Sequence, residues 1–226
     1  MCYHKVNDHD RDYMTVSVQN FKAQMEFLNE QGYEMVSLNE LVKGTGDKGQ
    51  GARVVITFDD GYEDIYQNAF PVMKQYGFKG IVFLIVEQVG GKGFLSRDHI
   101  LEMAKAGFEF GSHTLSHAEL TKADDGQKKK EIMGSKKMLE QNLGIPIRFF
   151  CYPRGLYDKA SVQLVKDAGY LGACSNVPGA NGKGLNAFLL RRTEVAPHDT
   201  LFDFEKKLAG AYDLLHQVLH AARGRP

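Results

Sequence analysis

The sequence has no tryptophan, only three cysteines and no net charge, its 28 lysines and arginines cancelling 28 aspartates and glutamates. Any aromatic binding surface must therefore be built from tyrosine or phenylalanine. Cys2, Cys151 and Cys174 are too few and too scattered for a disulfide framework, and they lack the CxxC spacing of a zinc knuckle. The balanced charge leaves no whole-molecule field to draw the chain to nucleic acid or to an anionic membrane, and Lys128-Lys129-Lys130 reads as a solvated helix face. No apolar run approaches the roughly 18 residues needed to span a bilayer, and no basic-then-apolar leader begins the chain. The glycine-rich stretches "KGTGDKGQGA" (43–52) and "NVPGANGKG" (176–184) match neither GxxxxGK[ST] nor GxGxxG, so they read as surface loops and nucleotide binding is not expected.

What is present is the composition of a soluble globular protein: 226 residues, 43% hydrophobic and 25% charged, enough to bury a sizeable core. One domain spanning 1–226 is the expectation. Short apolar runs read as strands at 1–4, 34–37, 53–58, 80–86, 108–112, 148–152, 171–175 and 188–195. Helical patterns lie at 17–30, 62–76, 96–105, 124–142 and 158–168, and a terminal helix is expected over about 201–223. Phe21, Met25 and Leu28 recur at three- and four-residue spacing on one helical face. "RVVITF" and "GIVFLIV" are apolar without alternation, as expected of parallel strands covered on both sides. Strand and helix in alternation predict an α/β fold with a parallel sheet, open or closed into a barrel, whose ligand sites gather at the carboxyl ends of the strands.

Four strand ends carry polar residues suited to chemistry. "VVITFDDGYED" puts Asp59 and Asp60 directly after a buried strand, where both can reach one pocket; alternatively, one of them caps the helix that starts near Tyr62. "FGSHTLSHAEL" sets His113 and His117 four residues apart, the spacing of one helical turn, which would let both imidazoles hold one metal ion; alternatively they are a pair of surface histidines with no shared partner. Joined to an aspartate they form a two-histidine, one-carboxylate set with coordination positions left open. "RFFCYPRGLYD" ends in a Pro-x-Gly turn that suits a loop wall close to a ligand, or a plain connection. In "FLLRRTEVAPHD" the pleat sends Arg191 and Arg192 to opposite faces, so at most one points into a site.

Taken in order, these stretches resemble the NodB-type polysaccharide deacetylases of carbohydrate esterase family 4, and "TFDDG" joined to "SHTLSH" is the most specific part of the likeness. The resemblance implies a distorted parallel (β/α) barrel of about seven strands. It also implies a divalent metal, zinc first with cobalt, nickel or manganese as alternatives, held by Asp60, His113 and His117. Asp59 is then the general base, and Tyr152, Pro153 and Gly155 in "CYPRG", with Tyr62, form the substrate wall, the Tyr152 amide serving as oxyanion donor. Cys151 stands where the family motif begins with arginine, and Arg192 is the candidate substitute. The family's late histidine is missing; His198 is a poor candidate. The chain resembles most the branch that includes poly-β-1,6-N-acetylglucosamine deacetylases, in which a first-strand Tyr-His pair supplies that histidine, and "CYHKV" matches, making His4 the general acid. The implied partner is an N-acetylated glycan, with no nucleic acid and no membrane span, in the cell envelope or outside it. Alternatives are a non-catalytic carbohydrate-binding protein on the same fold, a metal-dependent deacylase of a non-polymeric substrate, and a phosphoacceptor receiver domain.

Overall fold

The structure, a computed structural model, describes residues 1–44, 52–182 and 184–211. Six parallel strands form one sheet whose spatial order follows the chain: Cys2–Tyr3, Ile56–Phe58, Gly80–Leu84, Glu109–Ser112, Phe149–Cys151 and Gly172–Cys174. A parallel sheet wound in chain order curls toward closure instead of doubling back. The segment expected as a strand at 188–195 is irregular, yet it meets both edges of the sheet. Leu190 bridges to Cys174, Glu194 bridges to Cys2, and the Cys2 amide donates to the Thr193 carbonyl. This is the expected distorted barrel, with six regular strands and the 190–195 segment between its edges.

The lack of alternation in the strand sequences reflects two buried faces. One face carries Tyr3, Phe58, Val82, Leu84, Phe110, Phe150 and Ala173, packed in the large core with Phe21, Met25 and Leu28 of the Val18–Glu30 helix and Ile100 and Met103 of the Arg97–Lys105 helix. The opposite face carries Ile81, Phe83, Phe149, Cys151 and Cys174, which form a smaller inner cluster with Leu38 and Leu190. Because side chains alternate, Cys2 and His4, Thr57 and Asp59, Gly111 and His113, and Cys151 all share that inner parity. The inner face is crowded at Gly111, where an added Cβ would lie 2.5 Å from Phe83 Cδ1 and 2.8 Å from the Phe149 carbonyl oxygen. Gly111→Ala is expected to cost about 1–3 kcal/mol by overpacking, read as a thermal midpoint several degrees lower.

Three features of the fold differ from the sequence-based expectation. The 62–76 and 124–142 helices each contain a widened π turn, at Ile65–Ala69 and at Lys130–Gly134, the latter between the helices Asp125–Lys129 and Ser135–Leu143. A small parallel pair, Lys5–Val6 with Thr15–Val16, and a short helix, Leu38–Lys43, were not expected. The terminal helix spans Leu201–Leu208 and ends in a turn with a left-handed Gly210, and the expected span from residue 212 onward lies outside the described residues. No helix among the described residues is long and apolar enough to cross a membrane.

Candidate active site

The carboxyl ends of the strands open into a cleft of about 450 Å³ lined by His4, Tyr13, Met14, Asp59, Asp60, Tyr62, Ile85, His113, His117, Arg154, Asn176 and Glu194. Neither aspartate caps a helix: helical backbone begins at Glu63, whose amide donates to the Gly93 carbonyl, and the Ile65 amide donates to the Tyr62 carbonyl. Instead the chain reverses tightly: the Gly61 amide donates to the Asp59 carbonyl, and Asp60 and Gly61 both have left-handed backbones, with φ of 69° and 81°. Aspartate tolerates that region better than most residues, and the reversal turns both carboxylates toward the cleft. Gly61 cannot be replaced freely, because a Cβ there would lie 2.8 Å from Leu84 Cδ2.

The two histidines do not sit on a helical turn. His113 follows directly on the Glu109–Ser112 strand, and the loop after it bends through left-handed backbones at Thr114 and His117, with φ of 69° and 63°. The loop is pinned by buried Glu131 on the Lys130–Gly134 turn, which accepts from the Leu115 amide at 2.8 Å, the Ser116 amide at 3.0 Å and the Ser116 hydroxyl at 2.8 Å. The His117 amide donates to Thr114 Oγ1 at 2.9 Å. Asp60 Oδ1 lies 3.6 Å from His113 Nε2 and 3.7 Å from His117 Nε2. Those separations are too long for hydrogen bonds, and they are close to the roughly 3.4 Å edge of a tetrahedron whose ligands lie about 2.0–2.1 Å from a zinc ion.

The protonation states suit the same purpose. His113 Nδ1 lies 2.8 Å from the Cys151 carbonyl oxygen, which only accepts, so the proton is on Nδ1 and the Nε2 lone pair faces Asp60. Burial, aided by the neighbouring His113, lowers the His117 pKa and favours the neutral, ligating imidazole. The donor set Asp60, His113 and His117 therefore fits a divalent cation. A second group of possible ligands, Asp59, His113 and Cys151, does not. Burial pushes the Cys151 thiol up, His113 Nδ1 is already engaged, and Asp59 is neutralised by another partner.

That partner is Arg192. Its Nη1 donates to Asp59 Oδ1 at 2.6 Å and to Thr57 Oγ1 at 3.1 Å, and its Nη2 donates to Asp59 Oδ2 at 2.8 Å and to Asn176 Oδ1 at 2.6 Å. Nε donates to the Ser175 carbonyl at 3.0 Å, and the guanidinium lies over the Phe83 ring. Arg191, on the other face of the chain, is exposed. Burial alone would raise the Asp59 pKa, but the charge and hydrogen bonds of Arg192 outweigh it and hold the carboxyl well below the usual carboxylate range. The small Cys151 side chain leaves room for this arrangement, its sulfur 3.0 Å from Arg192 Nη2 and 3.5 Å from Asp59 Oδ2.

Arg192→Ala strands the Asp59 carboxylate, which is 1% exposed, and is expected to cost about 3–5 kcal/mol in unfolding free energy, read by urea titration. The folded pKa of Asp59 lies below its unfolded value of about 3.9. The pair's contribution is thus complete above that pH and is lost as pH falls through the folded pKa, so the defect of the variant is full at neutral pH and shrinks in strong acid.

Other expected site residues are placed less favourably. His4 lines the cleft, with its Nδ1 3.9 Å from Glu194 Oε1. His198 is exposed and outside the cleft lining. The expected wall role of Tyr152 is not supported: its side chain is fully buried on the outer face against Phe150 and Tyr157, and its amide donates to the Cys174 carbonyl at 3.1 Å. Pro153 is buried, and the Gly155 amide donates to the Tyr152 carbonyl, so neither offers a donor to the cleft. With the Leu156 amide bonded to the Pro153 carbonyl, Arg154 is the residue of this turn that lines the cleft and whose amide is not engaged in these bonds. Tyr62 lines the cleft but is stacked on Phe94, with ring centroids 5.0 Å apart and the Lys5 ammonium over its ring. Burial, with the Asp60 carboxylate adding to it, pushes its phenol up to about 12. Asn176, Glu131 and Glu194 were not singled out from sequence, because each acts through a partner distant in the chain.

Comparison with known proteins gives a consistent result. The polysaccharide deacetylase family profile matches residues 46–173, which contain Asp59, Asp60, His113 and His117 but neither His4 nor Arg192. YxkH of Bacillus subtilis, named for the same family, is 32% identical over 199 residues, covering 87% of this chain and 71% of that protein. The poly-β-1,6-N-acetyl-D-glucosamine N-deacetylase of Staphylococcus aureus is 30% identical over 173 residues, covering 69% of this chain and 59% of that enzyme. The Streptococcus pyogenes deacetylase PplD, solved in complex with acetate, has the same fold, with a TM-score of 0.85 at 22% identity over 92% of this chain and 96% of that one. With more than half of the chain matched by the profile, this protein belongs to the polysaccharide deacetylase family.

Proposed function

We propose that the chain hydrolyses N-acetyl groups on an N-acetylglucosamine-containing polysaccharide or oligosaccharide, releasing acetate and leaving a free amine. The observation that carries this reading is the pairing of an anionic, Arg192-bound Asp59 with the Asp60, His113 and His117 donor set beside it. Two imidazoles and one carboxylate suit zinc, which when bound in such a set supplies Lewis-acid polarisation of the acyl carbonyl and a more acidic water.

Asp59 is the general base: Arg192 keeps it ionised and fixes both its oxygens, so it takes the proton of the attacking water. As the new C–O bond forms, the negative charge on the acyl oxygen is met on the protein side by the Arg154 amide, in place of the Tyr152 amide. His4, which lines the cleft beside Glu194, gives a proton to the leaving nitrogen as the C–N bond breaks. A polymeric substrate places this activity in the cell envelope or outside the cell. The likeness to the S. aureus enzyme supports poly-N-acetylglucosamine as the first polymer to try.

The test is acetate release from a panel containing poly-β-1,6-N-acetylglucosamine, chitin oligomers, peptidoglycan and a simple N-acetylated amine. Release from at least one glycan above the simple amine is expected. Turnover of the simple amine alone would instead favour a deacylase of small substrates.

A further inference from the structure

Tyr13 is 77% exposed, although it lines the cleft. The other exposed large hydrophobic side chains among the described residues, Met138, Leu171, Leu201 and Phe202, are all outside the cleft lining. An exposed ring contributes little to folding, yet the loop that carries it, between Lys5–Val6 and Thr15–Val16, is held at many points. Asn7 Oδ1 accepts from the amides of His9 and Asp10, at 3.1 and 2.8 Å. Asp12 Oδ1 accepts from the Met14 amide at 2.9 Å and the Thr15 hydroxyl at 2.7 Å, on either side of the ring. Lys5 ties the loop together by donating to Asp10 at 3.0 Å and Asp12 at 2.8 Å. The ring is thus presented from a fixed backbone, which lowers the entropy lost when a ligand covers it.

The other tyrosines near the site are already covered. Tyr62 is stacked on Phe94 beneath the Lys5 ammonium, and Tyr152 is buried against Tyr157. Tyr13 makes no ring contact among the described residues, and it offers a flat apolar face with a hydroxyl at its edge, the shape that packs on the C–H face of a pyranose.

We propose that Tyr13 is a sugar-ring platform, stacking on the pyranose next to the one whose acetamido group reaches Asp59. The site then takes N-acetylhexosamine oligomers in preference to a monosaccharide. This rests on the deacetylase reading above and extends it to a second sugar-binding position.

The experiment compares N-acetylglucosamine with its β-1,6-linked tetramer for the wild type, Tyr13→Ala and Tyr13→Trp. For the wild type, kcat/KM is higher on the tetramer. Tyr13→Ala is expected to shrink that advantage by up to about ten-fold, the loss lying in KM, and Tyr13→Trp is expected to retain it. An unaltered tetramer advantage in Tyr13→Ala overturns the proposal. If the wild type releases acetate from neither compound, the deacetylase reading fails first, and titration calorimetry with the tetramer decides the platform separately. Weaker binding by Tyr13→Ala supports it, and equal binding overturns it.

Discussion

Asp59→Asn is expected to lower turnover by roughly 10²–10⁴-fold while the protein still binds its metal. The variant is close in shape but cannot accept the proton of the attacking water. Asp60, His113 and His117 remain in place, the two histidine Nε2 atoms 3.6 and 3.7 Å from Asp60 Oδ1. Arg192 loses the anion that it contacts through both terminal nitrogens, so circular dichroism and a melting curve should accompany the kinetics, to separate a folding defect from a chemical one. Acetate release and bound zinc, measured on the same sample, check the prediction. Wild-type turnover by Asp59→Asn would remove Asp59 from the role of base, and loss of zinc together with turnover would make it part of the ligand set.

His117→Ala and His113→Ala are expected to abolish metal binding and turnover together. Zinc affinity should fall by more than the roughly 10–100-fold typical of losing an outer hydrogen-bond partner, because a ligand itself is removed. His117 is the cleaner of the two positions. Its side chain is 32% exposed and sits on a loop held independently by Glu131, so truncation leaves the fold supported. His113 is 2% exposed and bonded to the Cys151 carbonyl, and its replacement adds a buried cavity to the lost ligand. Zinc titration of both variants checks the prediction, and zinc affinity at the wild-type level in His117→Ala would contradict the donor set.

The parts of the fold and site that follow local rules were legible in the sequence. Unalternating apolar runs identified the parallel strands, because both faces are buried, and the strand ends pointed to Asp59, Asp60 and His113. The two-residue pleat allowed at most one of Arg191 and Arg192 to face inward, and Arg192 does, although the segment is not a regular strand. The same parity, followed along "RFFCYP", would have put Cys151 inside and Tyr152 outside, and the Tyr152 assignment erred by ignoring it. The bend at "SHTLSH" was not legible, because HxxxH spacing suits a helical turn equally well and the loop's shape is imposed by Glu131, distant in the chain. Asn176 and the two short strands around "NDHDRDYM" were hidden for similar reasons. Their positions depend on hydrogen bonds that Arg192 and Lys5 donate and that Asp12 accepts, which composition and periodicity do not report.

The most direct single measurement is acetate release from a β-1,6-linked N-acetylglucosamine oligomer by the wild-type chain, followed through removal of metal with a chelator and restoration with zinc. The account predicts release that disappears on chelation and returns with zinc. Release that is indifferent to the chelator would contradict a metal held by Asp60, His113 and His117 as the centre of this site.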